Sequence, residues 1–309
     1  MRFASVSLLA LGAALAAACE QAPPPPVARP LVVATFYPLY EYSRQVAGDR
    51  MEVVTLVPAG VEPHDWEPAP QDLLQLQKAR VLVFNGGGFE PWVDKLVPDL
   101  GDVVAVDASQ AIERRPLPAG GHTHDDGHGK KDDHELDPHV WLDPVLAQAQ
   151  VEAIRAGLTR ADPAGAEVYA RNAQVYTERL GALHRAFEDG LRQCARRDLV
   201  VSHAAFGYLA RRYDLRQVPV MGLAPEAEPS PADLARIVRF ARRQKVQYIF
   251  FETLVSSKLA ETLAREVGAK TLVLNPVEGL TKDDAAAGKN YITLMEENLQ
   301  NLRTALECR

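Results

Sequence analysis

The stretch Leu31–Val57 reads LVVATFYPLYEYSRQVAGDRMEVVTLV, and its pattern decides the fold. It opens on a continuous apolar run, Leu31–Thr35, crosses a helical segment from about Leu39 to Ala47, and closes on a second β-rich run, Glu52–Val57. A strand with no polar alternation needs cover on both faces, as in a parallel sheet flanked by helices. The same alternation continues outward. A helix over Gln71–Ala79 leads to Val81–Phe84, the loop signal Asn85-Gly86-Gly87-Gly88, a helix through Trp92 and Leu96, and the strand Val103–Val106.

From Pro144 the pattern is helical to about Arg160, and Asp162-Pro163 then supplies a cap followed by proline in the first turn. Residues 163–193 carry no strand pattern; Val168, Val175, Leu180, Leu183, Phe187 and Leu191 recur at helix-compatible spacings. A helix of that length reaches roughly 45 Å, enough to bridge two domains. The βα alternation then resumes with strands at Leu199–Ser202, Gln217–Met221, Gln247–Phe251 and Thr271–Leu274. Helices fit Phe206–Tyr213, Pro231–Arg243, Ser257–Val267 and Asn290–Leu306. The predicted class is α/β: two βα lobes, each with a mostly parallel four-stranded sheet, joined by one long rigid helix. The lobes span 30–162 and 194–309, with the linking helix at 163–193, and a chain of 309 residues has the length for two domains.

The N-terminus reads as an export signal. Arg2 precedes the apolar run Ser5–Ala18, which is too short to span a bilayer in the mature protein. Residues 1–18 form the signal peptide, and Cys19 in LAAAC resembles the lipidated residue of bacterial lipoproteins. Residues 19–29, with Pro23-Pro24-Pro25-Pro26, form an extended tether. Export implies an oxidising compartment, which makes Cys194 and Cys308 candidates for a disulfide. The net charge of −7 argues against nucleic acid and favours cationic ligands.

Histidine placement carries the chemistry. Of eight histidines, His122, His124, His128 and His134 crowd the acidic segment 120–135. A mobile metal-attracting loop and a plain solvated insert are both open readings of that segment. His64 lies in the proline-rich loop PAGVEPHDWEP (58–68), His139 in DPHVWLDP (137–144) and His203 in SHAAFGY (202–208). All three occupy loops that adjoin strands or bound helices, where ligands of parallel sheets collect. His184 is mid-helix and reads as a surface or packing residue. Three imidazoles suit zinc, copper or nickel rather than calcium or magnesium. Zinc calls for one more ligand or a water. The carboxylates available near loops are Glu62, Glu67, Asp137, Asp143, Glu252 and Glu278, some of them suited to orienting an imidazole through its other nitrogen. HExxH, CxxC and GxSxG are absent from the sequence.

With GVEPHDWEP, DPHVWLDP and SHAAFGY in this order, the chain resembles the zinc/manganese solute-binding proteins of bacterial ABC importers, the TroA-like cluster A-I group. The resemblance runs from about Arg29 to the C-terminus. It implies one metal ion between the lobes, held by His64, His139 and His203. It also implies an ABC permease and its ATPase as partners, a membrane reached through the lipid anchor, a monomer and no enzymatic activity. The fourth family ligand is commonly an Asp in an Asp-Pro loop after the last strand; this sequence has Asn275 there, in LNPVEG, and leaves water, Glu278 or Glu252 as alternatives. A His-rich set without an assured carboxylate points to Zn²⁺ as the cargo, with Mn²⁺ or Fe²⁺ as alternatives. A zinc-binding surface adhesin or chaperone is a second class of function, and a zinc hydrolase a third.

Overall fold

The structure is a computed structural model and describes residues 29–114, 136–225 and 229–309. The signal peptide, Cys19, the proline run and His122, His124, His128 and His134 lie outside the described residues.

The first lobe runs β1 (Leu31–Ala34), α1 (Tyr37–Ala47), β2 (Glu52–Thr55), α2 (Pro70–Leu76), β3 (Val81–Phe84), α3 (Val93–Leu96) and β4 (Val104–Asp107). Two long helices follow, α4 (Pro144–Ala161) and α5 (Ala166–Leu191). The second lobe runs β5 (Asp198–Val201), α6 (Gly207–Arg212), β6 (Arg216–Pro219), α7 (Pro231–Arg243), β7 (Tyr248–Phe251), α8 (Lys258–Val267), β8 (Lys270–Val273), α9 (Lys282–Ala286) and α10 (Tyr291–Ala305). Both sheets are four-stranded and parallel, ordered β2-β1-β3-β4 and β6-β5-β7-β8. The chain therefore uses one topology twice. In each sheet the connections reverse direction beside the first strand, and the crevice beyond the carboxyl ends at that point is where such sheets bind ligands.

The apolar strand residues behave as a doubly covered sheet demands: Val32, Val33, Leu82, Val83, Leu199, Val200, Val201 and Ile249 are fully buried. Strand β6 ends at Pro219 rather than at Met221; it is an edge strand, and beyond it Val220 N and Met221 N still donate to Val201 O and Ser202 O of the neighbouring segment. Helix α9 spans only five residues, too few to show a period in the sequence.

Helix α5 has 26 residues, about 39 Å of rise. Its buried stripe is Tyr169, Ala173, Tyr176, Leu180, Leu183, Phe187 and Leu191, a 4-3-4-3-4-4 spacing. Val175, read from sequence as part of that stripe, is half-exposed, and Tyr169 and Tyr176 fill the interior in its place. A tyrosine ring carries more apolar area than a valine side chain, so the helix turns its aromatic face inward. One core cluster includes residues of α1, α4, α5 and α10 together with both sheets. The lobes thus share buried surface and are not merely tethered.

Cys194, just beyond α5, is bonded to Cys308 near the C-terminus across 114 residues of sequence. Closing a loop of that length contributes about 4–5 kcal/mol in the chain-entropy account. Replacing both cysteines by serine is expected to lower the melting temperature by about 10 °C or more, at roughly 2–4 °C per kcal/mol for a protein of this size. Differential scanning calorimetry reads this directly, and an unchanged melting point would show the bridge to be idle.

Candidate metal centre

Four loops deliver four side chains to one point. His64 follows β2 on a loop stiffened by Pro58, Pro63 and Pro68, and its backbone N–H donates to Glu62 Oε2 (2.9 Å). The same loop reaches the second lobe where Gly60 N donates to Leu280 O at 2.7 Å. His139 precedes a single 3₁₀ turn, Val140–Leu142, that leads into α4. Asp143 caps that helix by accepting from Val145 N (2.9 Å), with Pro144 in the first turn, and it also pairs with Arg212. Asn85, in the loop after β3, donates from Nδ2 to Pro138 O (3.0 Å) and so holds the residue before His139. Its loop is pinned by Glu90, whose carboxylate accepts from Thr35 Oγ1, Asn85 N and Gly86 N. Burial pushes Glu90 up to about 7 despite those donors. His203 directly follows β5, and Glu278 follows β8.

The four candidate donor atoms form a compact polyhedron. Nε2 of His64, His139 and His203 lie 3.4, 3.4 and 3.5 Å from Glu278 Oε1. His139 Nε2 lies 3.3 Å from both His64 Nε2 and His203 Nε2. The remaining edge, His64 to His203, is within 4.8 Å. A tetrahedron around an ion at the usual Zn–N and Zn–O distances has edges of about 3.3–3.5 Å. Five of the six edges match it. Among the described residues this is the one group of three or more His, Cys, Asp or Glu side chains at metal-binding distance.

Carboxylates fix the rings from behind. Asp137 Oδ1 takes both the backbone N–H (2.9 Å) and Nδ1 (2.8 Å) of His139. Glu252, at the end of β7, takes His203 Nδ1 on both oxygens at 2.7 Å. A proton shared on Nδ1 leaves the Nε2 lone pair pointing inward, the arrangement that orients metal-binding imidazoles. Gly207 opens α6 against Asp137: a Cβ there would lie 2.5 Å from Asp137 Oδ2, so a side chain would displace the carboxylate that aims His139.

The centre is dry. His139 and His203 are fully buried and Glu278 is 2% exposed, whereas the His64 side chain retains 9% exposure and marks the open side. Burial lowers the basicity of His139, but hydrogen bonds to Asp137 and Glu278 more than offset this and hold it above the ordinary imidazole value. His203 is likewise held well above it: burial opposes, and the charge and hydrogen bond of Glu252 prevail. Glu278 is held well below the usual carboxylate range, because the surrounding imidazoles outweigh the burial that would raise it.

Not every carboxylate noted in the sequence reaches the centre. Glu67 is exposed, and Asp143 is occupied by α4 and Arg212. Asn275 does not face the cluster: its Oδ1 accepts from Val277 N (2.7 Å), while its backbone exchanges two hydrogen bonds with Asn298. The carboxylate that joins the three imidazoles is that of Glu278, three residues on. Asn275 builds the turn that presents it. His184 bonds Tyr213 (3.2 Å) and ties α5 to the end of α6.

The chain matches the family model described as zinc-uptake complex component A, periplasmic, over residues 32–305. It is 41% identical over 277 residues to the high-affinity zinc uptake system protein ZnuA of Bacillus subtilis, covering 89% of this chain and 87% of that one. It is 44% identical over 275 residues to the zinc-binding lipoprotein AdcA of Streptococcus pneumoniae, covering 88% of this chain but only 55% of that longer protein. Among solved structures, the Zn(II)-bound ZnuA-like domain of S. pneumoniae AdcA superposes with a TM-score of 0.77 at 41% identity, covering 90% and 99% of the two chains. The laminin-binding protein Lmb of Streptococcus agalactiae, described as having adhesin and metal-transporting activity, superposes with a TM-score of 0.78 at 29% identity, covering 89% and 99%.

Proposed function

The chain belongs to the ZnuA family of periplasmic zinc-uptake components, and from that premise we propose that it is the extracytoplasmic receptor of an ABC importer. In this reading it captures Zn²⁺ between its lobes and delivers it to a membrane permease driven by an ATPase. The ligands are His64, His139, His203 and Glu278. One observation carries the assignment: four donor atoms from four loops converge, with five of their six separations at the edge lengths of a zinc tetrahedron.

Three nitrogens and one oxygen favour zinc over manganese, which is suited to octahedral oxygen coordination. The fourth protein donor takes the place that a catalytic zinc keeps for water, so the centre is built to hold an ion rather than to activate a nucleophile. The shared core between the lobes supports a receptor whose release step is local, at a ligand loop, and not a wide opening of the molecule. Cys19 is proposed as the lipidated residue, holding the protein at a membrane through the proline tether.

Calorimetric titration of the metal-stripped protein is expected to show one tight zinc site together with weaker binding by the His-rich segment. Deleting residues 120–135 removes the weak stoichiometry and leaves the tight site intact. Loss of the tight site on that deletion, or tighter binding of manganese than of zinc by the whole protein, would overturn the reading.

A further inference from the structure

Two residues after His139, the fully buried Trp141 reaches across to the other lobe. Its indole Nε1–H donates to the carbonyl of Pro276 at 2.8 Å, and Pro276 stands two residues before Glu278. Its own carbonyl accepts from the hydroxyl of Tyr291, the first residue of α10. The indole packs against the His139 ring (centroids 5.1 Å apart) and edge-on to Phe89 (5.1 Å), which in turn meets the His64 ring at 4.9 Å. One side chain therefore touches the His139 loop, the aromatic seat of His64 and the turn that carries Glu278.

That turn is strained. Val277 has φ +57°, a left-handed conformation that a β-branched residue strongly resists. Such a backbone persists only where its surroundings over-determine it. Here the surroundings are specific: Asn275 Oδ1 holds Val277 N, Asn298 holds both backbone groups of Asn275, and Trp141 holds the Pro276 carbonyl. With the indole bond removed, the turn relaxes towards an ordinary conformation, and the Glu278 carboxylate shifts relative to the three imidazoles.

We propose that Trp141, braced by Tyr291, is a specificity-determining positioning residue: it sets the span between His139 and Glu278 at a tetrahedral edge and so sets the preference for zinc over a larger, higher-coordinate ion such as manganese. The proposal rests on the receptor reading above. It assigns Trp141 no contact with the metal; the indole acts through the loops on either side.

Two variants test it. Trp141→Phe keeps an aromatic ring in the core but removes the donor to Pro276. Tyr291→Phe is nearly isosteric and removes only the hydroxyl that braces the Trp141 carbonyl. Zinc and manganese affinities are measured by chelator competition, with the visible spectrum of the Co²⁺ form as a gauge of tetrahedral geometry. Each variant is expected to lose about tenfold or more in zinc affinity, the scale of outer ligand supports, while manganese affinity holds or rises and the tetrahedral cobalt bands weaken. Wild-type metal preference and an unchanged cobalt spectrum in both variants would overturn the proposal and leave the receptor reading standing. Equal losses for both metals, following the thermal stability of each variant, would reduce Trp141 to a packing residue and overturn it as well. Failure of the wild-type protein to bind zinc tightly would remove the receptor reading itself.

Discussion

His139→Ala is expected to lower zinc affinity by a hundredfold or more and to destabilise the metal-free protein as well. Zinc held by four protein ligands is bound by about 10–16 kcal/mol, so one ligand carries about 3 kcal/mol, and each 1.4 kcal/mol is a factor of ten. The second effect has a separate origin. Asp137 is 4% exposed, and the ring that shares its proton disappears in the variant. Asp137 Oδ1 keeps the backbone N–H of residue 139 but loses the ring donor, and a lost hydrogen bond to a charged group costs about 1.5–3 kcal/mol. Chelator competition measures the first effect and thermal melting of the stripped protein the second. Wild-type affinity in the variant would remove His139 from the ligand set.

Glu278→Gln comes next in expected size, at about a hundredfold in zinc affinity by the same division. It also alters the pH dependence in a definite direction. In the metal-free protein His139 and His203 bind protons above the ordinary imidazole value of 6.5, and Glu278 is among the groups that hold them there. Zinc must displace those protons, so wild-type affinity falls as pH drops through the raised imidazole values, beginning above 6.5. Glu278 itself, held well below 4.5, stays ionised across that range and adds nothing to the slope. Without its charge the imidazoles are less basic, so the variant is expected to release fewer protons per zinc bound. Calorimetry in buffers of different ionisation enthalpy counts them.

The same groups give the metal-free fold its own pH profile. The raised imidazoles stabilise it fully below about 6.5, and that contribution is lost as pH rises through their folded values. The depressed Glu278 stabilises it above about 4.5 and is lost as pH falls through its folded value. Stability of the stripped protein is therefore expected to decline on the alkaline side, where zinc binding strengthens. A melting temperature of the stripped protein that rises from pH 6 to pH 8 would contradict this assignment.

Much of this protein is local and can be read along the chain. Continuous apolar runs such as Val32–Ala34 and Leu199–Val201 have only one economical use, a sheet covered on both faces, and the helices between them follow from period and caps. His64, His139 and His203 could be placed at loops because each lies beside a strand, a proline or a cap, and parallel strands gather such loops at their carboxyl ends. Within α5 the sequence period allowed Val175 on the inner face; which face turned inward depended on whether the tyrosines found partners in α1 and α10.

Which side chain completes the cluster was decided only in three dimensions. Asn275 and Glu278 are three residues apart on one loop, and nothing in the spacing of LNPVEG says which side chain turns towards the imidazoles. The choice is made by contacts far away in sequence: Asn298 captures Asn275, Trp141 captures Pro276, and Val277 is forced to positive φ, which delivers Glu278. The residue types of the site are thus a property of the chain, because loops at strand ends follow from local pattern. The cluster of four is a property of the fold, because the loops that carry it are joined by hydrogen bonds between segments more than a hundred residues apart.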